Sequence, residues 1–201
     1  MHIIAGRFKG QEIKSPKNGE TTRPTTDRAK EAIFSHLEAI GVLSNARVAD
    51  VYAGTGALGF EALSRGACSA TFVEANAQIA KLIALTAQGL KGPDAKNVRV
   101  RIVRTKAEIF SARITSSHMK QFDVIFIDPP YAVSTDTVNE QTAQLGGVLS
   151  DDGVMMVERS IRTPEITAPW GFETYLRKDY GETAVFYLRK IIEPVVSRDV
   201  L

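Results

Sequence analysis

From residue 47 onward, short apolar runs alternate with stretches whose apolar residues recur every three or four positions. Arg47–Tyr52, Ala70–Val73, Val98–Ile102, Phe122–Ile127 and Val154–Glu158 read as strands. Phe122–Ile127 is apolar almost throughout, as a strand covered on both faces must be. In 98–102, Val98, Val100 and Ile102 alternate with Arg99 and Arg101, which marks an edge strand with one wetter face. Between the strands, Ala57–Ser64 reads as a helix ended by Arg65 and Gly66. A second, capped by Asn76, runs to about Gln88 with Gly89 at its end, and a third covers Thr137–Gly146. Strand and helix in alternation predict a doubly wound parallel α/β sheet. Glu173–Lys178 and Ala184–Arg189 flank Tyr180-Gly181-Glu182 and predict a terminal antiparallel hairpin.

Before residue 47 the pattern differs. Ile3–Lys14, punctuated by Gly6 and Gly10, reads as a two-stranded ribbon, and Ser15–Thr22 as a polar linker. Ala29, Ile33, Leu37 and Ile40 then recur at helical spacing, with Asp27 in the first turn and Gly41 as the stop. The chain thus divides into an N-terminal ribbon and linker, residues 1–22, and an α/β domain, residues 23–201.

Composition narrows the class. A chain of 201 residues with 44% apolar and 24% charged residues builds an ordinary core and is neither disordered nor fibrous. No apolar run reaches the ~20 residues of a membrane span, and the N-terminus lacks the basic-then-apolar pattern of a signal peptide. The expected location is the cytoplasm. Cys68 is the single cysteine and reads as a small buried apolar residue. With it stand three scattered histidines (His2, His36, His118), which makes no metal site. Trp170 reads as a packing residue of a late loop. Net charge is only +2, but residues 1–30 hold seven Lys/Arg against three acids, and residues 96–120 hold seven against Glu108 alone. Such blocks suit a polyanion or are simply solvated faces.

Two motifs carry chemistry. Asp50-Val51-Tyr52-Ala53-Gly54-Thr55-Gly56-Ala57-Leu58-Gly59 lies between strand and helix, and Gly54, Gly56 and Gly59 fit G-x-G-x-x-G. That spacing gives a tight turn, close backbone approach to a ligand and close helix–strand packing. Glu74 ends the next strand, twenty residues after Gly54, where an acid accepts ribose hydroxyls. Asp50, expected near the mouth of this site, disfavours a pyrophosphate and suits an ammonium group, as in S-adenosylmethionine. The second motif, Asp128-Pro129-Pro130-Tyr131, follows the buried strand. Its prolines remove two donors and leave carbonyls facing the site. Acceptors beside an aromatic face suit a planar base with an exocyclic amine. An amine held by the Asp128 carboxylate and the Pro129 carbonyl presents its lone pair for methyl transfer. These residues leave open a DNA N6-adenine or protein-amide methyltransferase, a nicotinamide dehydrogenase, and an RNA-binding assembly factor without catalysis.

With Thr22-Arg23-Pro24-Thr25-Thr26-Asp27-Arg28, Lys30–Phe34 and Ala62–Ala67, these motifs resemble the RsmD family along nearly the whole chain. Those enzymes are class I, Rossmann-like S-adenosylmethionine-dependent methyltransferases. They act on the N2 amine of a guanine of 16S rRNA, conventionally numbered 966, in the small ribosomal subunit or its precursor. The resemblance implies that Asp50, Ala53, Gly54 and Gly56 line the methionine part of the cofactor, and Glu74 and Ala75 its ribose. It implies that Asp128, Pro129, Pro130 and Tyr131 hold the target base. Where relatives often carry Asp or Asn at the adenine, this chain reads Thr105-Lys106-Ala107, so Ala107 offers its backbone N–H. Arg7, Lys9, Arg23 and Arg28 are the candidate RNA contacts, in a protein expected to act as a monomer.

Overall fold

The computed structural model describes residues 1–16, 27–115 and 121–191. Seven strands form one sheet: β1 (Arg47–Asp50), β2 (Ser69–Val73), β3 (Arg99–Val103), β4 (Phe122–Ile127), β5 (Leu149–Ser160), β6 (Phe172–Tyr180) and β7 (Thr183–Lys190). Their spatial order is β3-β2-β1-β4-β5-β7-β6. The first five are parallel; β7 runs antiparallel to β5, and β6 to β7. β3 takes the edge that its alternating arginines predict.

The helices are α1 (Asp27–Ala39), α2 (Ala57–Ser64), α3 (Ala77–Gly89), α4 (Ala107–Ile114) and α5 (Thr135–Gly146). Successive residues of a strand point to opposite faces, and two cores follow. Val48, Phe126 and Met156 pack with α1, α2 and α3 on one face. Ala49, Ile127 and Val157 pack with α4 and α5 on the other. The order reverses between β1 and β4, which opens a crevice at the carboxyl ends of these strands.

Several expectations need correction. The N-terminal ribbon is reduced to one bridge, His2 to Glu12, around tight turns. Its residues turn inward instead: Ile3, Phe8 and Ile13 are buried with the first core. The Ile4 and Ala5 N–H groups donate to the Glu61 carboxylate at 2.8 and 3.0 Å. At Gly6 a Cβ would stand 2.1 Å from the Ser64 carbonyl oxygen, so only glycine lets the segment lie this close to α2. These contacts add to the short local pairing of the ribbon, in which the Ile3 N–H donates to the Gln11 carbonyl at 3.0 Å and the Ile13 N–H to that of Met1 at 2.9 Å. The proposed boundary at 22/23 falls outside the described residues.

Ile40 lies beyond the end of α1 and is exposed, while Lys30 and Phe34 take the buried stripe. Trp170 is 99% exposed rather than packed. Cys68 is only half-buried, its thiol directed at the Asn45 carbonyl. Helix α4 was not expected. Its run Ala107–Ile114 is short, with only Ala107, Phe110 and Ser111 buried. No described helix is long and apolar enough to cross a membrane.

Candidate active site

A cavity of about 620 Å³ opens at the carboxyl ends of β1, β2, β4 and β5. Ala53, Gly54, Glu74, Ala75, Ala107, Asp128, Pro129, Pro130 and Tyr131 all line it, as does Asp50. The two motifs, seventy residues apart, therefore meet because β1 and β4 are neighbours.

The glycine turn has the local build its spacing requires, but Gly56, unlike Gly54, does not line the cavity. Gly56 is the N-cap of α2 at φ +81°, a left-handed conformation that favours glycine. A Cβ on Gly59 would stand 2.3 Å from the Phe72 ring, so this glycine sets how closely α2 lies on β2. Gly56 has no side chain to cap the helix. Asp50 does so from below, its Oδ2 accepting the Gly59 N–H at 3.0 Å. Asp50 is 2% exposed and forms the floor of the site, not the mouth expected for it. As the last residue of β1 it is covered by α2. Burial pushes its carboxyl up to about 7, against the Gly59 N–H and with help from the charge of Glu74.

Glu74 directly follows β2, half-buried, with Oε2 accepting the Gly54 N–H at 3.0 Å and Oε1 the Asn76 N–H at 2.7 Å. These bonds fix the turn and α3 to one carboxylate and leave further lone pairs toward the cavity. Ala107 begins α4, so its N–H is one of the unpaired amides of a first turn.

Asp128 follows β4. Among the described residues nothing donates to its carboxylate, nor to the Pro129 carbonyl. Burial first, then the charges of Glu158 and Asp50, hold the Asp128 carboxyl well above the usual carboxylate range. Tyr131 is 52% exposed at the rim. Among the described residues, five carboxylates line the cavity (Asp50, Glu74, Glu108, Asp128, Glu158) against three cationic side chains (Lys30, Lys106, Arg159). A ligand that brings positive charge is favoured there.

Three lining residues escaped the sequence reading. Lys30 is 1% exposed, with Nζ 3.7 Å from the Asp27 carboxylate. It sits on the apolar stripe with Ile33, Phe34 and Leu37, and a lysine at such a position was the available signal. Glu158 and Arg159 end β5 beside Asp128. A charged pair closing the apolar run Val154–Val157 was the signal there.

The candidate RNA contacts divide. Arg7 is spent on the fold: Nε donates to the Leu63 carbonyl at 2.9 Å and Nη2 to that of Ala67 at 2.5 Å, at the end of α2. Lys9 and Arg28 are exposed. Arg23 lies outside the described residues. Among the described residues no cluster of His, Cys, Asp and Glu could hold a metal.

The family described as conserved hypothetical protein 95 matches residues 1–189. The ribosomal RNA small subunit methyltransferase D of Escherichia coli strain K12 is 31% identical, over 92% of this chain and 87% of its own. A putative rRNA methyltransferase of Bacillus subtilis, YlbH, is 32% identical over 94% and 99%. Among solved structures, the putative methyltransferase yhhF from Escherichia coli superposes with a TM-score of 0.75 at 29% identity, over 94% of this chain and 97% of its own. The two motifs, the strand order and these likenesses agree: the chain belongs to the conserved hypothetical protein 95 family, the RsmD family, and has the fold of S-adenosylmethionine-dependent methyltransferases.

Proposed function

We propose that this protein methylates the exocyclic N2 amine of one guanine in the RNA of the small ribosomal subunit, the guanine conventionally numbered 966 of 16S rRNA, with S-adenosylmethionine as donor. The observation that carries this reading is the pair of unclaimed acceptors, the Asp128 carboxylate and the Pro129 carbonyl, in an acid-rich cavity beside a glycine turn.

The residues fit the cofactor. Its ammonium and sulfonium suit a cavity floored by Asp50 and flanked by Asp128 and Glu158. Glu74 has lone pairs left for ribose hydroxyls, the Ala107 N–H would be available to the adenine, and Lys30 would offer the carboxylate a buried cation. When bound, the cofactor supplies an electrophilic methyl group on a positively charged sulfur.

The chain's own task is to hold the amine. Asp128 and Pro129 accept its two N–H bonds, which localises a lone pair otherwise delocalised into the ring. Tyr131 covers the face of the base, which must be splayed out of its stack to enter. Asp128, with its carboxyl raised, is also placed to take the proton that the amine loses. Lys9, Arg23 and Arg28 contribute phosphate attraction. The protein acts in the cytoplasm as a monomer.

The test is transfer from labelled S-adenosylmethionine into small subunits from cells lacking this protein, with the nucleosides identified by mass spectrometry. N2-methylguanosine at a single position is the expected product. Transfer only into DNA or protein would discard the RNA substrate and keep the cofactor.

A further inference from the structure

Arg159 is 3% exposed, and two of its three guanidinium nitrogens, Nε and Nη1, have no partner among the described residues. Only Nη2 is used, donating to the Val133 carbonyl at 2.8 Å. A buried guanidinium short of acceptors is costly, and burial draws Arg159 below the usual arginine range. The side chain lies at the junction of two cavities. One is the cofactor cavity; the other, of about 460 Å³, lies beyond Tyr131 and is lined by Ser134, Thr135, Asp136, Asn139 and Thr163 among others. Tyr131, Val133 and Arg159 border both.

The second cavity also receives the first turn of α5. Ser134 is the N-cap, and its Oγ accepts the Thr137 N–H at 3.1 Å. The Thr135 and Asp136 N–H groups have no acceptor among the described residues. Val133, which anchors the guanidinium, immediately precedes the cap, so buried cation and helix N-terminus share one wall. Two carboxylates border the cavity as well. Glu165 is paired with Arg177, and Asp136 is exposed, so solvent screens it.

We propose that this cavity is a phosphate subsite, in which Arg159 and the Thr135 and Asp136 N–H groups receive a backbone phosphate beside the nucleotide held at Asp128 and Tyr131. Helix N-termini with a nearby cation favour phosphate, through both dipole and free N–H groups. The proposal rests on the reading of a polynucleotide substrate, but the phosphate site itself is testable without methyl transfer.

The first experiment is an NMR titration of the full chain with inorganic phosphate, following the Thr135 and Asp136 amides and the Arg159 Nε–H. Saturable shifts are expected in the wild type, and none at these amides in Arg159→Gln, whose retained fold is checked by its unchanged amide pattern away from the cavity. Equal shifts in both proteins, or none in the wild type, would overturn the site. The second experiment is methyl transfer to small subunits. Arg159→Gln should raise KM for RNA about tenfold, as for one charge-assisted contact, at nearly constant kcat. It should also lower the slope of log affinity against log salt by about 0.7–0.9. Arg159→Lys should recover part of both. A fall in kcat at an unchanged slope would mean that Arg159 only supports Val133. A raised KM at an unchanged slope would point to a base oxygen, and either result overturns the phosphate assignment.

Discussion

Two buried charged clusters lie on this protein, and they are finished to different degrees. Around Arg65 everything is paired. Its Nε, Nη1 and Nη2 bind Glu61, Glu38 and Glu31 at 2.8, 2.8 and 2.5 Å, and the guanidinium lies 5.3 Å from the centre of the Phe34 ring. Glu61, fully buried, also accepts the Ile4 and Ala5 N–H groups. Burial opposes the charge on Arg65, but its three carboxylates outweigh it and hold the group above the usual arginine range. At the carboxyl ends of β4 and β5 the balance is left open. Among the described residues Asp128 has neighbouring acids and no donor, and Arg159 has two idle nitrogens. The first cluster joins α1, α2 and the N-terminal segment into one unit. On the proposed function, the second retains charge for the cofactor and the RNA. On that reading, buried charge serves structure where its partners are internal, and function where they come from outside the chain.

The largest effect should come from breaking the finished cluster. Arg65→Leu leaves Glu61 buried without its cation, at a cost of about 3–5 kcal/mol. Urea unfolding measures this, and a loss under about 1 kcal/mol would erase the contrast.

Asp128→Ala should do the reverse. Turnover should fall about a hundred- to a thousandfold, the usual worth of one acceptor or donor aimed at the reacting group. RNA binding should stay nearly intact. The unfolding midpoint at neutral pH should not drop, because the change relieves repulsion with Glu158 and Asp50. Unaltered turnover would remove Asp128 from the chemistry, and a lower midpoint would make it a structural residue like Glu61.

Asp50 sits between the two types, since it caps α2 and also floors the cavity. Its folded pKa is raised from 3.8 to about 7, so its contribution to stability is fully present below about pH 3.8. That contribution is lost as pH rises through 7. Asp50→Asn cannot titrate, so its melting temperature relative to the wild type should climb from pH 4 to 8. Comparing the two proteins cancels opposing groups such as Asp123, which Arg47 holds low despite burial. A cationic ligand releases the same proton. S-adenosylmethionine should therefore bind the wild type more tightly as pH rises from 6 to 8, and the variant with a flatter profile. Parallel profiles would mean that Asp50 does not feel the cofactor.

The same division decides what the sequence could reveal. Strands and helices with clean periodicity were legible: Phe122–Ile127 and Ala57–Ser64 fall where the pattern put them. The glycine turn and Asp-Pro-Pro-Tyr were legible as motifs, and the parallel sheet explains why they meet. The N-terminal segment was legible only in part: the local pairing of Ile3 with Gln11 and of Ile13 with Met1 is there, but its docking on Glu61 and Ser64, more than fifty residues away, has no signal in the sequence. Helix α4 escaped because eight residues with three buried positions give little periodicity. Glu158 and Arg159 escaped because they belong to no motif, and only the β4–β5 register brings them beside Asp128.

The smallest effects test the basic residues of the N-terminal region, where sequence placed Arg7, Lys9 and Arg28 in one class. Arg7 belongs with the finished charges, since its guanidinium caps the carbonyl end of α2 through Leu63 and Ala67. Arg7→Ala should lower stability by about 1–3 kcal/mol, the range for hydrogen bonds from a charged donor. It should leave the salt dependence of RNA binding unchanged. Lys9 and Arg28 belong with the open charges, being exposed and without side-chain partners among the described residues. Replacing either by Ala should move stability by no more than about 0.5 kcal/mol. Each should reduce the salt slope by about 0.7–0.9, one counterion's worth. Denaturant unfolding and RNA titrations at several salt concentrations, run on the same three variants, separate the classes. If Arg7→Ala changes the slope and not the stability, the capping bonds are dispensable and its guanidinium reaches RNA after all. If Lys9→Ala and Arg28→Ala change neither, the RNA path lies over the cavity rim at Tyr131 and Arg159 and does not extend to this region.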